Sequence, residues 1–500
     1  MNLDRRRFIG LTAAAAAMPR VLPAQLPAGI PAVRLSGSDT TIERAAIREL
    51  RDSLRGSLLL RGDFGYDGAR SVWNGMHDRY PALIVRAADA RDVAHAVTFA
   101  RERELLTSVK GGGHSFPGQC VADRALMIDL RSMNEVLVDV DGRRARSGGG
   151  ALLYDLDFAT QRHGLATTAG VVSHTGVGGF TLGGGYGRLN RKLGLTIDNL
   201  LAAEIVTADG QVRRITAEGH PDLFWAIRGG GGNFGVVTEF ELRLHEVGTQ
   251  MLGGEILWPV ASARDVLAAY AELAPRLSDE MYLAPLMTTL PDGTGVVGMD
   301  VCHCGAPAAG ERELQSLRKV ARPLVDTVAV APYLTLQTRK DGQFRPGIRV
   351  YVKGGMVREL SPALIDAMIE GFRANKGIGL SSHTAGGVVA RVGVADTAWP
   401  HRAAATMISA VSMWTDPQQD AERVAAARSA WSLLKPHTGG YYGNIQSELD
   451  GARGNYGPAY ERLTAIKRKY DPKNLFRLND NIQPAAQGVS RSIALPARCR

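Results

Sequence analysis

The chain has 500 residues, 45% of them hydrophobic and 22% charged, with a formal net charge of +9. That length exceeds one ordinary hydrophobic core and predicts two domains, and the balance is that of a soluble globular protein rather than a disordered one. Arg5, Arg6, Arg7 and Arg20 against Asp4 put part of the positive charge at the N-terminus, and the remainder forms no basic block, so no nucleic-acid partner is expected.

The chain opens on Asp4-Arg5-Arg6-Arg7-Phe8-Ile9-Gly10 and a mild apolar run, Leu11–Met18. This is the charged and apolar layout of an export signal over residues 1–30, far short of the ~20 apolar residues of a membrane span. Paired arginines before Phe8-Ile9 match the twin-arginine type, whose translocase carries folded proteins, so a periplasmic or secreted location is expected. No other segment reaches spanning length. Helical spacing follows over Thr41–Leu60 and Ala90–Glu104, with strands at Tyr80–Val85, Leu105–Val109 and Ala125–Leu130. Glu135–Val140 and Arg143–Gly148 read as a hairpin around Asp141-Gly142, and Leu152–His163 as a helix closed by Gly164. Asn199–Asp209 fits a helix or a strand, and Val236–Leu244 a strand. Beyond residue 248 the expected strands are Met251–Trp258, Met281–Met287, Gly295–Cys302, Arg349–Met356, Leu380–Val394 and Thr406–Trp414. Helices are expected at Ala261–Leu277, Ala308–Val320, Ser361–Arg373 and Gln418–Leu434.

Three glycine-rich stretches interrupt the first half. Val109–Gly118 reads VKGGGHSFPG, Gly170–Gly187 reads GVVSHTGVGGFTLGGGYG, and Leu223–Val237 contains four consecutive glycines. Glycine lets a backbone press against a ligand, and successive N–H groups in such a turn form a nest suited to a pyrophosphate. His114 follows the first nest directly. Each stretch adjoins a strand, which points to an α+β nucleotide-holding domain. It is not a Rossmann fold, because no G-x-G-x-x-G opens a helix with an acidic residue about 20 positions on. The four cysteines, Cys120, Cys302, Cys304 and Cys499, define no disulfide framework, and Cys302-His303-Cys304 is too tightly spaced for a zinc pair, so no metal site is expected.

Taken in register, VKGGGHS, AGVVSHTGVGGFTLGGGYGRLNRKLGLTIDNL, DLFWAIRGGGGNFGVVTEF, Thr397–Arg402, Tyr442-Gly443-Asn444 and Tyr456–Gln483 resemble the berberine-bridge-enzyme-like flavoproteins of the p-cresol methylhydroxylase and vanillyl-alcohol oxidase (PCMH/VAO) group. The likeness covers residues 40–485. It implies an FAD-binding domain at 40–247 completed by 436–485, an antiparallel-sheet substrate domain at 248–435, and a tail at 486–500. It implies FAD bound through one covalent link at His114, with contacts from Lys110, Gly111, Gly112, Gly113 and Ser115. Val172, Ser173, His174, Thr175, Gly176 and Gly179 should follow the flavin and diphosphate, Gly235 and Val237 the adenine end, and Asn444 the flavin.

Two departures matter. Where many members carry a second, cysteine link, this chain has Val172 and Ser173, so that link should be absent. Where many have a tyrosine after the Asn of Tyr-x-Asn, this chain has Ile445. Candidate bases are therefore Tyr442, His174 and Tyr441. His401-Arg402 is expected to brace the domain. The implied activity is oxidation of a small-molecule alcohol, sugar or amine by hydride transfer to the flavin, with O2 or another acceptor completing the cycle. Thr175 stands where this family tends to control oxygen's path, and its polar side chain leaves oxidase and dehydrogenase both open. A flavin-holding protein without turnover and a carbohydrate-binding module are the alternatives.

Overall fold

A four-stranded sheet begins the molecule. Leu83–Arg86, Leu126–Asp129 and Thr107–Lys110 run parallel, and Ser57–Leu59 joins antiparallel at the edge. The chain is seen here as a computed structural model that describes residues 26–486; most of the expected export signal and tail lie outside the described residues. These strands are buried on both faces, so they read as continuous apolar runs. The helix Ala90–Glu102 follows Asp89, whose carboxylate accepts from the N–H groups of Arg91 and Asp92 and caps it. Thr107–Lys110 ends at the first glycine turn, so the parallel sheet delivers that turn at the C-terminal edge of its strands.

A second, antiparallel sheet runs in the order Val212–Thr216, Leu200–Val206, Val236–Arg243, Arg144–Gly148, Val136–Asp139. It delivers the third glycine stretch ahead of Val236. A third sheet follows the path Val325–Asp326, Gln250–Pro259, Gly295–His303, Met281–Thr289, Ile378–Thr384, Thr406–Trp414, Arg349–Val357. Its alternating apolar residues, among them Ile256, Trp258, Leu283, Met299, Leu380, Ile408 and Ala410, pack under the helices Ala263–Leu273, Pro307–Arg318, Pro362–Ala374 and Asp420–Leu434. The other face of that sheet turns to the first half of the chain. The C-terminal helix Tyr460–Tyr470 returns to the second sheet's core, with Leu463, Ile466 and Tyr470 against Leu223, Phe224 and Ile227.

Several expectations need correction. Residues 41–60 are not one helix: Asp39–Glu43 and Ser57–Leu59 are strands flanking a helix, Arg44–Ser53. Asn199–Asp209 is a strand, Leu200–Val206, because both neighbours in the sheet pair with it. The 135–148 hairpin closes through residues 140–143, and its left-handed residue is Arg143 (φ 48°) rather than Gly142. The strand expected over 380–394 stops at Thr384, since Gly386 and Gly387 both take positive φ and a short helix, Val388–Arg391, follows. The glycine stretch 170–187 holds an unforeseen helix, Val177–Leu182.

Candidate active site

The three glycine stretches and the third sheet enclose one continuous cavity. Gly111, Gly112, Gly113, His114 and Ser115 form one wall, Val172, Thr175, Gly176 and Gly179 a second, and Gly235 and Val237 line it from the third stretch. The first two walls meet backbone to backbone. A Cβ on Gly112 would lie 2.4 Å from the Gly176 nitrogen, and a Cβ on Gly176 would lie 2.3 Å from the Gly112 nitrogen. Only glycine at both positions allows this approach.

Apart from Ser115, whose N–H is directed at the Cys120 thiol, the amide N–H groups of residues 111–116 donate to no protein acceptor among the described residues. Buried or half-buried N–H groups are normally paired, so this largely unpaired run in the cavity wall is a ready anion cradle. Such a row fits the diphosphate of FAD, and the adjoining bare backbone fits a flat ring.

His114 sits within this run. Its ring stacks on Trp73 (centroids 4.4 Å apart, planes 12° from parallel). Its Nε2 lies 2.6 Å from His174 Nδ1. Burial, with a smaller push from His174, lowers the His114 imidazole to about 3, so it is neutral at pH 7. The residue behind it is fixed in turn. Ser173 donates its N–H to Asp341 Oδ1 at 2.9 Å and its hydroxyl to Asp341 Oδ2, and its carbonyl accepts from Tyr154 N–H at 2.8 Å. His174 Nε2 is buried with no partner among the described residues. Phe344, from the Asp341 segment, closes over Trp73, whose indole N–H donates to the Phe344 carbonyl at 2.6 Å.

Three expected contacts fall elsewhere. Lys110 does not line the cavity: its ammonium donates to the Ala69 and Ser71 carbonyls, which satisfy a buried cation pushed down to about 8 by desolvation. Ser173 and His174 likewise stand behind the wall rather than on it. Asn444 does line the cavity, with its amide donating to the Phe180 carbonyl (3.0 Å) and to Tyr442 Oη (2.9 Å).

Tyr442 is also in the wall, but its oxygen already accepts from Asn444 and from Gly185 N–H at 3.0 Å, and burial raises its phenol to about 12. It is a protonated anchor at neutral pH rather than a ready base. Tyr441 donates to Asp480 Oδ2 at 2.6 Å, away from any free role. His401 bonds the Asn455 carbonyl at 2.8 Å, and Arg402 makes a bidentate pair with Asp198 (2.8 and 2.7 Å), so this motif braces the two halves. Trp73, Asp341, Phe344 and His383 escaped the sequence reading. None sits in a glycine-rich motif, and each matters only through its place in the fold.

The residues match known proteins over the same stretches. The FAD binding domain family covers residues 81–216, and the family described as berberine and berberine like covers 450–483. An FAD-linked oxidoreductase of Dictyostelium discoideum is 30% identical over 443 residues, 88% of this chain and 97% of that protein. The (R)-6-hydroxynicotine oxidase of Paenarthrobacter nicotinovorans is 33% identical over 454 residues, 86% of this chain and 97% of that one. The crystal structure of 6-hydroxy-D-nicotine oxidase from Arthrobacter nicotinovorans superposes with a TM-score of 0.80 at 32% identity, covering 87% of this chain and 99% of that one. With the glycine cradle, the two-part fold and the closing segment all in register, this chain belongs to the berberine-bridge-enzyme-like FAD-linked oxidoreductases, enzymes of the PCMH/VAO-type FAD-binding fold.

Proposed function

We propose that this enzyme holds FAD through a single covalent bond from His114 and oxidises a small molecule by hydride transfer to the flavin, with O2 reoxidising it to give H2O2. The observation that carries the reading is the His114–His174 contact of 2.6 Å beside the N–H cradle. In the tautomer where His114 Nε2–H donates to His174 Nδ1, the His114 Nδ1 lone pair is free, and burial keeps it unprotonated. His114 Nδ1 would then be the atom that holds the flavin, and His174 Nδ1 stands where it can accept the Nε2 proton. Trp73 holds the ring plane, and Asp341 holds His174 through Ser173. Residues 40–247 and 436–485 carry the cofactor and 248–435 cover it.

Bound FAD supplies the two-electron acceptor; the protein supplies orientation and electrostatics. The relative named for 6-hydroxynicotine supports a compact organic substrate. Export by the twin-arginine route is part of this reading, supported by Arg6-Arg7, with cleavage within residues 19–30. Fractionation of cells expressing the full chain checks this.

The test of the link is denaturation. Acid-precipitated wild-type chain should stay yellow with FAD mass added, and His114→Ala should release all flavin to the supernatant. A His114→Ala chain that keeps bound colour sinks the assignment. Turnover that needs an artificial acceptor and yields no H2O2 replaces oxidase by dehydrogenase.

A further inference from the structure

Alternation along the third sheet decides what faces the cradle. Leu380, Ile408 and Ala410 lie under the helices, so the residues that alternate with them, Ser381, His383 and Val411, turn to the cavity, together with Val352. Phe344, Ile445 and Tyr186 complete this end. No lysine or arginine lines the cavity among the described residues. Its one acidic lining residue, Asp480, belongs with the third glycine stretch, where its carbonyl accepts from Asn233 at 3.1 Å.

His383 is the one imidazole that the third sheet brings to a wall otherwise made of apolar side chains, Ser381 and two phenols. Its Nδ1 lies 3.5 Å from Tyr282 Oη; its Nε2 has no partner among the described residues and is not sealed, and the ring lines the cavity. With Nδ1–H directed at Tyr282, the Nε2 lone pair is offered to whatever occupies this end. The two phenols of the same wall, Tyr186 and Tyr442, are kept protonated by burial. Neither competes as a base.

We propose that His383 accepts, at Nε2, the hydroxyl proton of an uncharged, compact, apolar alcohol. This rests on the reading of bound FAD as the oxidant. The O–H bond breaks and its proton goes to Nε2. The α C–H bond breaks, and that hydrogen leaves with both electrons to FAD. The carbon–oxygen single bond becomes a carbonyl, so the alcohol is oxidised and FAD is reduced by two electrons. An amine would arrive as an ammonium and meet no carboxylate at this end, an unpaired buried charge. A saccharide would bring hydroxyls on every side; Ser381 and the unpartnered Tyr186 phenol serve one or two of them, while Val352, Val411, Phe344 and Ile445 offer the rest no partner. The charged and titratable groups facing His383 are Lys340, Arg188, Asp300, Tyr282 and Tyr186. Burial first, then Lys340, push its imidazole down to about 4, with Asp300 opposing, so the base is neutral at physiological pH.

The experiment follows flavin bleaching in anaerobic stopped flow with benzyl alcohol, cinnamyl alcohol, benzylamine and cellobiose. The alcohols should bleach the flavin about 100-fold faster than the other two. His383→Gln should keep its covalent flavin while the bleaching rate constant falls about 10²–10⁴-fold. The wild-type rate should drop as pH falls through about 4, and that limb should vanish in the variant. Imidazole should restore His383→Ala. A faster amine or sugar overturns the substrate class, and a His383→Gln rate within about fivefold of wild type overturns the role. If none of the four bleaches the flavin, the proposal falls. Photoreduced flavin that O2 or ferricyanide then reoxidises would show that the oxidoreductase reading survives it.

Discussion

Gly112→Ala tests whether the backbone contact between the first two glycine stretches holds the cradle together. The added Cβ would sit 2.4 Å from the Gly176 nitrogen and 2.5 Å from its Cα. That is about 1 Å inside ordinary contact. Both obstructing atoms are backbone, so no rotamer change relieves the overlap, and the two loops must separate. Overpacking of this kind costs about 1–3 kcal/mol. The loops that separate carry His114 and His174, whose hydrogen bond of 2.6 Å has little slack. The expected result is a lower urea midpoint together with loss of most covalently retained flavin, measured as 450 nm absorbance of acid-denatured chain per mole of protein. Gly68→Ala is the control. It sits within the helix Tyr66–Arg70 with nothing within 4 Å of its Cβ position, and it should retain both flavin and stability. A Gly112→Ala protein with wild-type stability and full flavin would refute the reasoning, since the two stretches could then not be packed as described.

Two further substitutions separate anchors from chemistry. Tyr442→Phe removes the acceptor for Gly185 N–H and Asn444, which should cost about 1–3 kcal/mol of stability, while turnover falls no more than about tenfold and its pH profile stays in place. A displaced pH limb in kcat/KM would restore Tyr442 as a base. Asp300→Asn leaves Arg188, wholly buried and held to Asp300 at 3.1 Å, without its counter-charge, as it does Lys340 (2.7 Å), while Arg339 (2.8 Å) keeps only Glu255 at 3.4 Å. Loss of about 3–5 kcal/mol in equilibrium unfolding is expected, and a change under about 1 kcal/mol would mean that the cluster is not load-sharing as drawn.

Local chemistry made much of the fold legible. Glycine runs ending strands, apolar alternation and helical spacing located most elements to within a few residues. Two of the failures share one cause. Residues 41–60 have helical spacing throughout, but Ile42 and Leu58 belong to separate sheets, and pairing with distant strands outweighs local spacing. Asn199–Asp209 was ambiguous for the same reason. The site divides along that line as well. His114 stands in a motif, so it could be read directly. Ser381 and His383, polar positions alternating with Ile378 and Leu380, look like the solvent face of a half-buried strand; only the closure of that face onto the glycine cradle gives them a role. Lys110 shows the opposite error, a motif residue whose side chain serves Ala69 and Ser71 rather than the cavity.

The charge cluster around Asp300 ties the two halves of the molecule together. Arg188 follows directly on the second glycine stretch, and it reaches both Asp300, on the third sheet, and Gln337 at 2.9 Å. Gln337 donates to Asp157 at 3.0 Å and to the Gly170 carbonyl at 2.9 Å, returning to the cradle side at the start of that same stretch. Lys340 closes on Asp300, and its neighbour Asp341 clamps Ser173. One short segment, 337–341, therefore fixes both ends of the glycine stretch to the sheet that carries His383. Burying a carboxylate with three cations is a poor way to gain stability, because desolvation offsets much of the attraction. It is a good way to fix register, since an ion cluster tolerates one arrangement where an apolar contact tolerates several. On the proposed mechanism the consequence is geometric: a hydride acceptor on the cradle and a proton acceptor on the cover would act on the same carbon–oxygen bond only if cradle and cover cannot slide. Reaction rate is sensitive to displacements of about 1 Å at such a site. A rigid link between the faces is thus required by any two-sided mechanism, whichever substrate is bound.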